Sequence, residues 1–178
     1  MKDQIISYRE MCDIENVQTL QRGMNYRLNP NYSVILMSQR QNAPYKDKIL
    51  SDGYSIEYEG HDIPKTQNIV NPKLIDQPRK TKSGKLTQNA LFAKAVEEYR
   101  SGKNPEFVRV FEKIFPGIWS EKGFFNLIDY KYEKDDNSRF VFEYIPEETE
   151  IDLELDKIKL NTLRPRSRVI PSEIKRIV

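Results

Sequence analysis

The sequence predicts an α+β fold, mainly β, in which a curved sheet or partly closed barrel surrounds one main packed helix and carries an N-terminal helical leader. Short runs of β-branched and aromatic residues recur from residue 32 to residue 144, and turn residues stand between them. Only one long amphipathic helical pattern interrupts these runs. Because parallel βαβ units need a helix between successive strands, we expect a curved sheet instead.

The leader is predicted at residues 1–25. Apolar residues recur every three to five positions between Ile6 and Leu20, a spacing typical of an amphipathic helix or two. Two strands follow the leader, and each comes after turn residues: Tyr32–Met37 after Asn-Pro-Asn, and Tyr54–Tyr58 after Asp-Gly.

The main helix is expected to begin after Thr87, a residue type that caps helix N-termini, and to end near Gly102. Apolar residues between Leu91 and Tyr99 recur on one of its faces. Beyond the helix, a polar hairpin-like connection separates the last two of three further predicted strands, which lie at 107–111, 124–132 and 139–144.

Charge is distributed unevenly, although the formal net charge is only +2. Residues 147–162 predict an acidic edge segment, because Ile151–Leu155 alternates apolar and acidic residues and its charges would discourage further strand pairing. Residues 163–178 predict a basic linker and the start of a helix, so we expect the parent protein to continue past Val178. Basic stretches of this kind are typical of solvated surface or of nucleic-acid contact.

Several classes of protein are excluded by composition. One cysteine, Cys12, allows no internal disulfide, and with His61 as the lone histidine there is no Cys/His set for zinc. A catalytic triad would depend on His61, which we expect at the surface near a turn. The sequence has neither a glycine-rich phosphate loop nor an apolar run near the roughly 18 residues that span a bilayer. We therefore expect an intracellular protein with no catalytic residue, metal or cofactor.

Eight segments of the chain occur in an order and with spacings that resemble the SRA (SET and RING associated) domain, over about residues 26–146. These segments are Ser33-Val-Ile-Leu-Met-Ser, Ala43-Pro-Tyr-Lys-Asp, Tyr58-Glu-Gly-His-Asp, Asp76-Gln-Pro, Leu86-Thr-Gln-Asn-Ala-Leu, Phe107-Val-Arg-Val-Phe-Glu, Gly123-Phe-Phe-Asn-Leu-Ile-Asp-Tyr and Phe140-Val-Phe-Glu-Tyr. The chain also looks like the N-terminal SRA-like modules of bacterial HNH endonucleases that cut modified DNA, in which an arginine-rich linker precedes the nuclease.

The resemblance implies a PUA-like β-barrel that binds double-stranded DNA and flips a modified cytosine into an aromatic pocket. It also implies that residues 163–178 lead to an HNH nuclease domain outside this chain, in a bacterial cytoplasmic protein used for modification-dependent restriction. The chain itself would be a non-enzymatic reader. Any homodimer is expected to form through parts of the protein outside this chain.

By the same resemblance, the base-binding residues are Tyr45, Asp47, Tyr58, Glu59 and Gly60. The two tyrosines would stack on the flipped base, and stacking of this kind contributes about 1–3 kcal/mol per base. Asp47 would accept a hydrogen bond from the exocyclic amine of cytosine, which thymine lacks. The alternatives are that the tyrosines belong to the core or to strands and that Asp47 is a turn residue.

Glu59 stands where the family usually has threonine. A carboxylate there could accept from the hydroxyl of 5-hydroxymethylcytosine, so we hypothesise tolerance or preference for that base over 5-methylcytosine. Selection for a methyl group alone is expected to be modest, because one buried methyl supplies only about 0.8 kcal/mol. The alternative is that Glu59 points outward from its strand.

Basic residues are expected to contact the DNA backbone or groove, with an affinity that falls steeply with salt. The candidates are Arg27, Arg40, Lys65, Arg79, Lys80, Lys82 and Lys85. Two other functions stay open: a metal-dependent nuclease that uses acids such as Asp129, Glu133 and Glu143, and a protein-interaction module that pairs through the acidic strand.

Overall fold

The computed structural model describes residues 3–134 and 138–147. It confirms the predicted α+β, mainly β fold. The elements of the described residues are β1 (Gln4–Ser7), α1 (Tyr8–Ile14), β2 (Met24–Asn29), β3 (Tyr32–Met37), β4 (Lys48–Ile49), β5 (Ile56–Glu59), a 3-10 turn (Pro72–Leu74), α2 (Gln88–Arg100), β6 (Glu106–Phe115), β7 (Ile118–Lys134) and β8 (Ser138–Pro146).

The strands of the described residues belong to one curved sheet. Seven of them follow the order β2-β3-β6-β7-β8-β5-β4, and β1 pairs with β7 outside this order. Strand β7 is long enough to pair with β6 and β1 along its first half and with β8 along its second. Strands β3 and β6 are parallel, and the other pairs are antiparallel. Within the described residues no pairing joins the edge strands β2 and β4, so the sheet stays open.

Alternation along the strands separates two apolar cores, because successive side chains point to opposite faces of a sheet. Ile35 and Val110 face the core that holds Phe92 of α2. Their neighbours Val34 and Phe111 face the second core, which α1 and the rest of the leader cover. The main helix and the leader therefore pack on opposite faces of the sheet.

Helix α2 begins as predicted, since the Thr87 side chain accepts a hydrogen bond from the backbone N–H of Ala90. The predicted apolar face is only partly right. Phe92 and Val96 are fully buried, whereas Tyr99 is 37% exposed, because the sheet covers the helix over its first three turns.

The leader contains less helix than the sequence predicts. Gln4–Ser7 forms strand β1 because it pairs with Ile118–Glu121 of β7, and the helix is confined to Tyr8–Ile14. The acidic segment beyond Glu147 and the basic linker at 163–178 lie outside the described residues. In the part of the chain that is described, no helix is both long and apolar enough to cross a membrane.

Beneath the leader lies a buried ion-pair cluster centred on Arg109, the arginine of the Val-Arg-Val motif. Its guanidinium contacts Glu15 at 3.4 Å and donates to Glu121. Burial raises the pKa of Glu15, and the positive charge of Arg109 opposes that rise. The motif therefore joins the leader to the sheet and lies in the second core rather than at an exposed surface.

Candidate base-binding site

The five predicted base-binding residues come together where the loop before β4 meets the end of β5. Tyr45 and Asp47 lie on that loop, Tyr58 and Glu59 end β5, and Gly60 follows. The strand pairing continues past β5, because the Gly60 N–H donates to the Phe140 carbonyl at 2.8 Å. Side chains from two separate stretches of the chain thus converge on one site.

An imidazole ring lies between the two tyrosines. The His61 ring stacks on Tyr45 with centroids 4.6 Å apart and planes within 6°, and it lies 5.9 Å from the Tyr58 ring at 29°. Its Nε2 is 2.7 Å from the Tyr58 hydroxyl, which also donates to the Leu36 carbonyl. Burial lowers the pKa of His61 to about 4. The expectation that His61 is a surface residue is only partly right, because the residue is partly exposed while its ring packs on Tyr45.

Tyr58 itself is fully buried and is part of the core, where its ring meets Tyr144 edge to face. Tyr45 is more accessible, and its hydroxyl accepts from the backbone N–H of Asp62 at 3.3 Å. The two tyrosines therefore differ in role. Tyr58 forms a rigid inner wall, and Tyr45 forms an outer wall carried on a loop.

Two side-chain amides hold the segment that carries the histidine. The Asn89 amide makes two bonds to the His61 backbone, accepting from its N–H and donating to its carbonyl, both at 2.9 Å. The Gln77 amide donates to the Gly60 carbonyl at 2.5 Å and accepts from the Phe140 N–H at 2.9 Å. Both residues lie in the sequence motifs, yet sequence reasoning assigned neither a role. Each of them follows another polar residue in the sequence, so no local signal distinguished these two amides.

Two glycines let the backbone approach this segment closely. A Cβ at Gly60 would lie within 3 Å of the Asn89 and Gln77 side-chain oxygens. A Cβ at Gly23 would lie 2.2 Å from His61 Cε1 and 2.8 Å from the Tyr58 hydroxyl. Gly60 is therefore required by packing, and Gly23 forms a wall behind the imidazole.

Asp47 is buried, and both of its carboxylate oxygens accept backbone hydrogen bonds. One accepts from the Ser38 N–H at 3.0 Å and the other from the Glu59 N–H at 3.2 Å. Burial raises the pKa of Asp47 to about 7, although these two bonds favour the charged form and oppose the rise. Each oxygen keeps one further lone pair with which to accept from a ligand.

Glu59 is also buried, so the alternative that it points outward is wrong. Its carboxylate contacts Lys73 Nζ at 3.1 Å and accepts from the Lys46 N–H at 2.7 Å. Lys73 also pairs with Asp62 at 3.2 Å, and its Nζ lies 4.1 Å from the centre of the Tyr45 ring. Sequence reasoning missed Lys73 because it lies 28 residues after Tyr45 in a loop without a motif.

Solved structures share this architecture. A crystal structure of the SUVH5 SRA domain with hemi-methylated CG DNA has a TM-score of 0.53 and 18% identity, over 81% of this chain and 86% of that one. A complex of SUVH5 SRA with methylated CHH DNA has a TM-score of 0.53 at 16% identity, over the same shares of the two chains. SUVH5 SRA bound to fully hydroxymethylated CG DNA has a TM-score of 0.51 at 15% identity, over 83% and 89%. The chain adopts an SRA-like fold. No protein-family model and no curated protein matches the sequence.

Five of the seven predicted DNA-contact residues are exposed on the SRA-like domain without an ion pair to a neighbouring acid among the described contacts: Arg40, Lys65, Lys80, Lys82 and Lys85. The lysines at 80, 82 and 85 lie on a tight turn closed by the bond from Thr81 N–H to the Lys85 carbonyl. This turn begins three residues after Gln77, which holds the site. The turn therefore follows directly on a residue that is fixed to the site through Gly60.

The other two predicted contact residues are engaged within the SRA-like domain. Arg79 donates to the Tyr130 hydroxyl at 2.8 Å and contacts Glu97 at 3.4 Å. Arg27 contacts Glu106 at 3.3 Å, although more than half of its side chain remains exposed. To contact a DNA phosphate, each arginine would have to share its guanidinium group between the phosphate and its present partners in the protein.

The two most exposed apolar side chains of the loop between β5 and α2 are ones that sequence reasoning did not single out. Val70 is 74% exposed and Leu74 is 67% exposed. The loop contacts the site at two points, because His61 at its start and Lys73 near its middle each contact the Tyr45 ring. The SRA-like domain therefore presents apolar groups beside the aromatic site.

The acids considered for a nuclease are distributed along the sheet. Asp129 pairs with Arg100, and Glu143 lies opposite Asp129 in the register of β7 and β8. Among residues 3–134 and 138–147 no group of three or more His, Cys, Asp or Glu side chains is placed to hold a metal ion. The geometry therefore offers no support for that alternative.

Proposed function

We propose that this domain binds double-stranded DNA containing 5-methylcytosine or 5-hydroxymethylcytosine and holds the flipped base between Tyr45 and Tyr58. One observation carries the proposal: the Tyr45 ring stacks on a flat heterocycle, the His61 imidazole, and the Tyr58 hydroxyl bonds to a ring nitrogen of that heterocycle. SRA domains with this fold have been crystallised with methylated and hydroxymethylated DNA. The residues between the two tyrosines thus suit a planar ligand.

The energetics of base flipping are compatible with this site. Taking a base out of the duplex costs a few kcal/mol, and each aromatic face that stacks on it returns about 1–3 kcal/mol. Tyr58 loses no further freedom on binding because it is already fixed in the core. The flipping cost is therefore offset in part by stacking on Tyr45, and Tyr58 adds a contact whose position is fixed before binding.

Asp47 selects cytosine in this proposal. Its carboxylate oxygens are fixed by the Ser38 and Glu59 N–H groups, and each retains a lone pair for the exocyclic amine of cytosine. Thymine presents a carbonyl at that position, which would face the carboxylate and leave both acceptors unpaired. A base with the wrong edge is rejected because buried polar groups then lose their partners.

Glu59 and Lys73 determine the response to a 5-hydroxymethyl group. A hydroxyl can both donate to the Glu59 carboxylate and accept from the Lys73 ammonium, whereas a methyl can do neither. The salt bridge between them already satisfies both charges, so the added hydrogen bonds are expected to produce tolerance of the hydroxyl rather than a strong preference.

Contacts to the duplex come from two parts of the loop between β5 and α2, the loop that also carries His61 and Lys73. The turn with Lys80, Lys82 and Lys85 supplies positive charge for phosphates, a contribution that weakens as salt rises. Val70 and Leu74 supply apolar groups of the kind that insert between base steps and fill the space that a flipped base leaves. These two parts of the loop would hold the aromatic site against the duplex.

Binding to matched duplexes tests the proposal. Fluorescence anisotropy would compare one duplex with C, 5-methyl-C, 5-hydroxymethyl-C or a glucosylated C at a single position. We expect the methyl and hydroxymethyl duplexes to bind more tightly than the unmodified one, and we expect Tyr45→Ala to weaken both by about tenfold or more. Tyr54→Ala is the matched control, because Tyr54 is 61% exposed on a neighbouring loop. Equal affinity for all four duplexes, or equal effects of the two substitutions, would contradict the proposal.

We assign the reader function to residues 26–146 and a linking function to residues 163–178, which would join the reader to an HNH endonuclease in modification-dependent restriction. The arginine-rich composition of 163–178 supports this assignment. The coding sequence after Val178 tests it. Paired cysteines followed by a histidine-rich ββα segment are expected, and any other downstream domain would refute the nuclease assignment.

A further inference from the structure

The place proposed for the flipped base is occupied by a side chain of the protein itself. From this we infer that His61 is a displaceable occupant of the space between Tyr45 and Tyr58, and that a base binds only by expelling its imidazole ring. The inference rests on the proposed function, because it takes the two tyrosines as the base-binding walls. It adds that, in the free protein, the His61 ring fills the space between the two tyrosines.

The imidazole has the geometry of a bound base. It lies parallel to Tyr45 within 6° at a centroid distance of 4.6 Å, and its ring nitrogen bonds to the Tyr58 hydroxyl at 2.7 Å. A pyrimidine stacked on Tyr45 would occupy the same volume. The base and the imidazole therefore compete for one position.

The attachment of His61 allows the ring to leave without unfolding the segment. The His61 backbone is held by both groups of the Asn89 amide, and these bonds do not involve the ring. Rotation about the side-chain torsions breaks only the stack and the bond to Tyr58, while the backbone bonds persist. Gly23 closes the space behind the ring at the level of Cε1 and Nε2, so the ring can leave only on a side away from that backbone.

Expulsion of the ring lowers the affinity for every flipped base by the same factor. One stacking contact and one hydrogen bond are lost, each a contact of ordinary strength. Removing the imidazole should therefore tighten binding of the modified duplex by about tenfold, which corresponds to about 1.4 kcal/mol. The ratio between modified and unmodified duplexes should change little, because both bases displace the same ring.

Proton NMR of the wild-type chain tests the displacement directly, because His61 is the only histidine and its ring protons give a single assignable set. In the free protein, stacking on Tyr45 is expected to shift these protons upfield. Saturation with the 5-methylcytosine duplex should abolish that shift, and the unmodified duplex should abolish it only at the higher concentration that its weaker binding requires. If the duplex binds and the upfield shift persists, the inference and the base position between the two tyrosines are overturned, while the binding of modified DNA stands.

His61→Ala supplies the second measurement. We expect this variant to bind the modified duplex about tenfold more tightly than wild type, and we expect added imidazole to raise the Tm of the variant but not of wild type, because the ring refills its vacated site. Weaker binding by a folded His61→Ala variant would show that the ring assists the base and would overturn the inference. If neither wild type nor His61→Ala binds any duplex, the proposed function and the inference fail together.

Discussion

Gly23→Ala is expected to push the His61 ring off Tyr45 from behind. Gly23 lies just before β2, and its carbonyl accepts from the Leu36 N–H at 2.8 Å, so the backbone there cannot move away easily. Its φ is not in the left-handed region, so alanine introduces no backbone strain of its own. The added methyl group is therefore the only perturbation.

The magnitude follows from the contact distances. The new Cβ would lie 2.2 Å from His61 Cε1, and ordinary contact begins at 3.4 Å, so the ring must move by about 1.2 Å. A shift of that size disrupts both the stack on Tyr45 and the bond to the Tyr58 hydroxyl. Losing an aromatic pair and a hydrogen bond costs about 1.4 kcal/mol in total, the same value as for expulsion of the ring by a base. For a domain of this length, such a loss lowers Tm by about 3 to 6 °C.

Thermal unfolding in a double-mutant cycle with His61→Ala isolates the clash. In the His61→Ala background the two closest contacts of the methyl, to the imidazole, are gone and the contact to the Tyr58 hydroxyl at 2.8 Å remains, so Gly23→Ala should cost less than it does in wild type. The histidine ring protons should also lose their upfield shift in Gly23→Ala. The same fall in Tm in both backgrounds, or no fall in wild type, would refute the reasoning.

Three further outcomes are expected. Asp47→Asn should cost about 1–3 kcal/mol in unfolding free energy and abolish selection for cytosine over thymine, since one of the two bound N–H groups then faces an amide donor. The folded-state pKa of His61 is depressed to about 4, so below pH 6.5 the unfolded chain binds a proton that the folded protein does not, and the folded state loses stability. The unfolding free energy of wild type relative to His61→Asn should therefore fall by about 3 kcal/mol between pH 7 and pH 4. Replacing Lys80, Lys82 and Lys85 by Gln should make the salt dependence of duplex binding shallower by about two to three units of log–log slope with Tm unchanged, whereas Lys94→Gln on α2 should leave that slope as it is.

Most of the secondary structure could be predicted from the sequence because its signals are local. The alternation in Tyr32–Met37, the cap at Thr87 and the polar connection before β8 each depend on neighbouring residues, and each element forms where it was expected. The exceptions are β1, β2 and β4, whose residues do not form a clear run of β-branched and aromatic side chains. Gln4–Ser7 forms a strand because its backbone pairs with Ile118–Glu121 of β7, and these backbone groups of β7 come within reach only when the sheet has assembled.

The candidate site divides in the same way. The motifs that contain Tyr45, Asp47 and Tyr58 were identifiable from their order along the chain, and their roles in base binding stay predictions. The position of His61 was not identifiable, because its local surroundings, a glycine and an aspartate after a strand, are typical of an exposed turn. Its ring is buried by Gly23 and Tyr45, and its backbone is held by Asn89, which lies 28 residues away.

The sequence by itself determined which stretches are strands, which is the main helix, and that the chain resembles a reader of modified DNA, because propensity, capping and motif order act over short distances along the chain. Only the tertiary structure decided that β3 and β6 pair in parallel across about 70 residues, that Lys73 and Glu59 form one ion pair beside Tyr45, and that a histidine lies between the two tyrosines. Each of these contacts joins residues whose proximity is produced by the packing of the whole sheet, so no local pattern carries a signal for it.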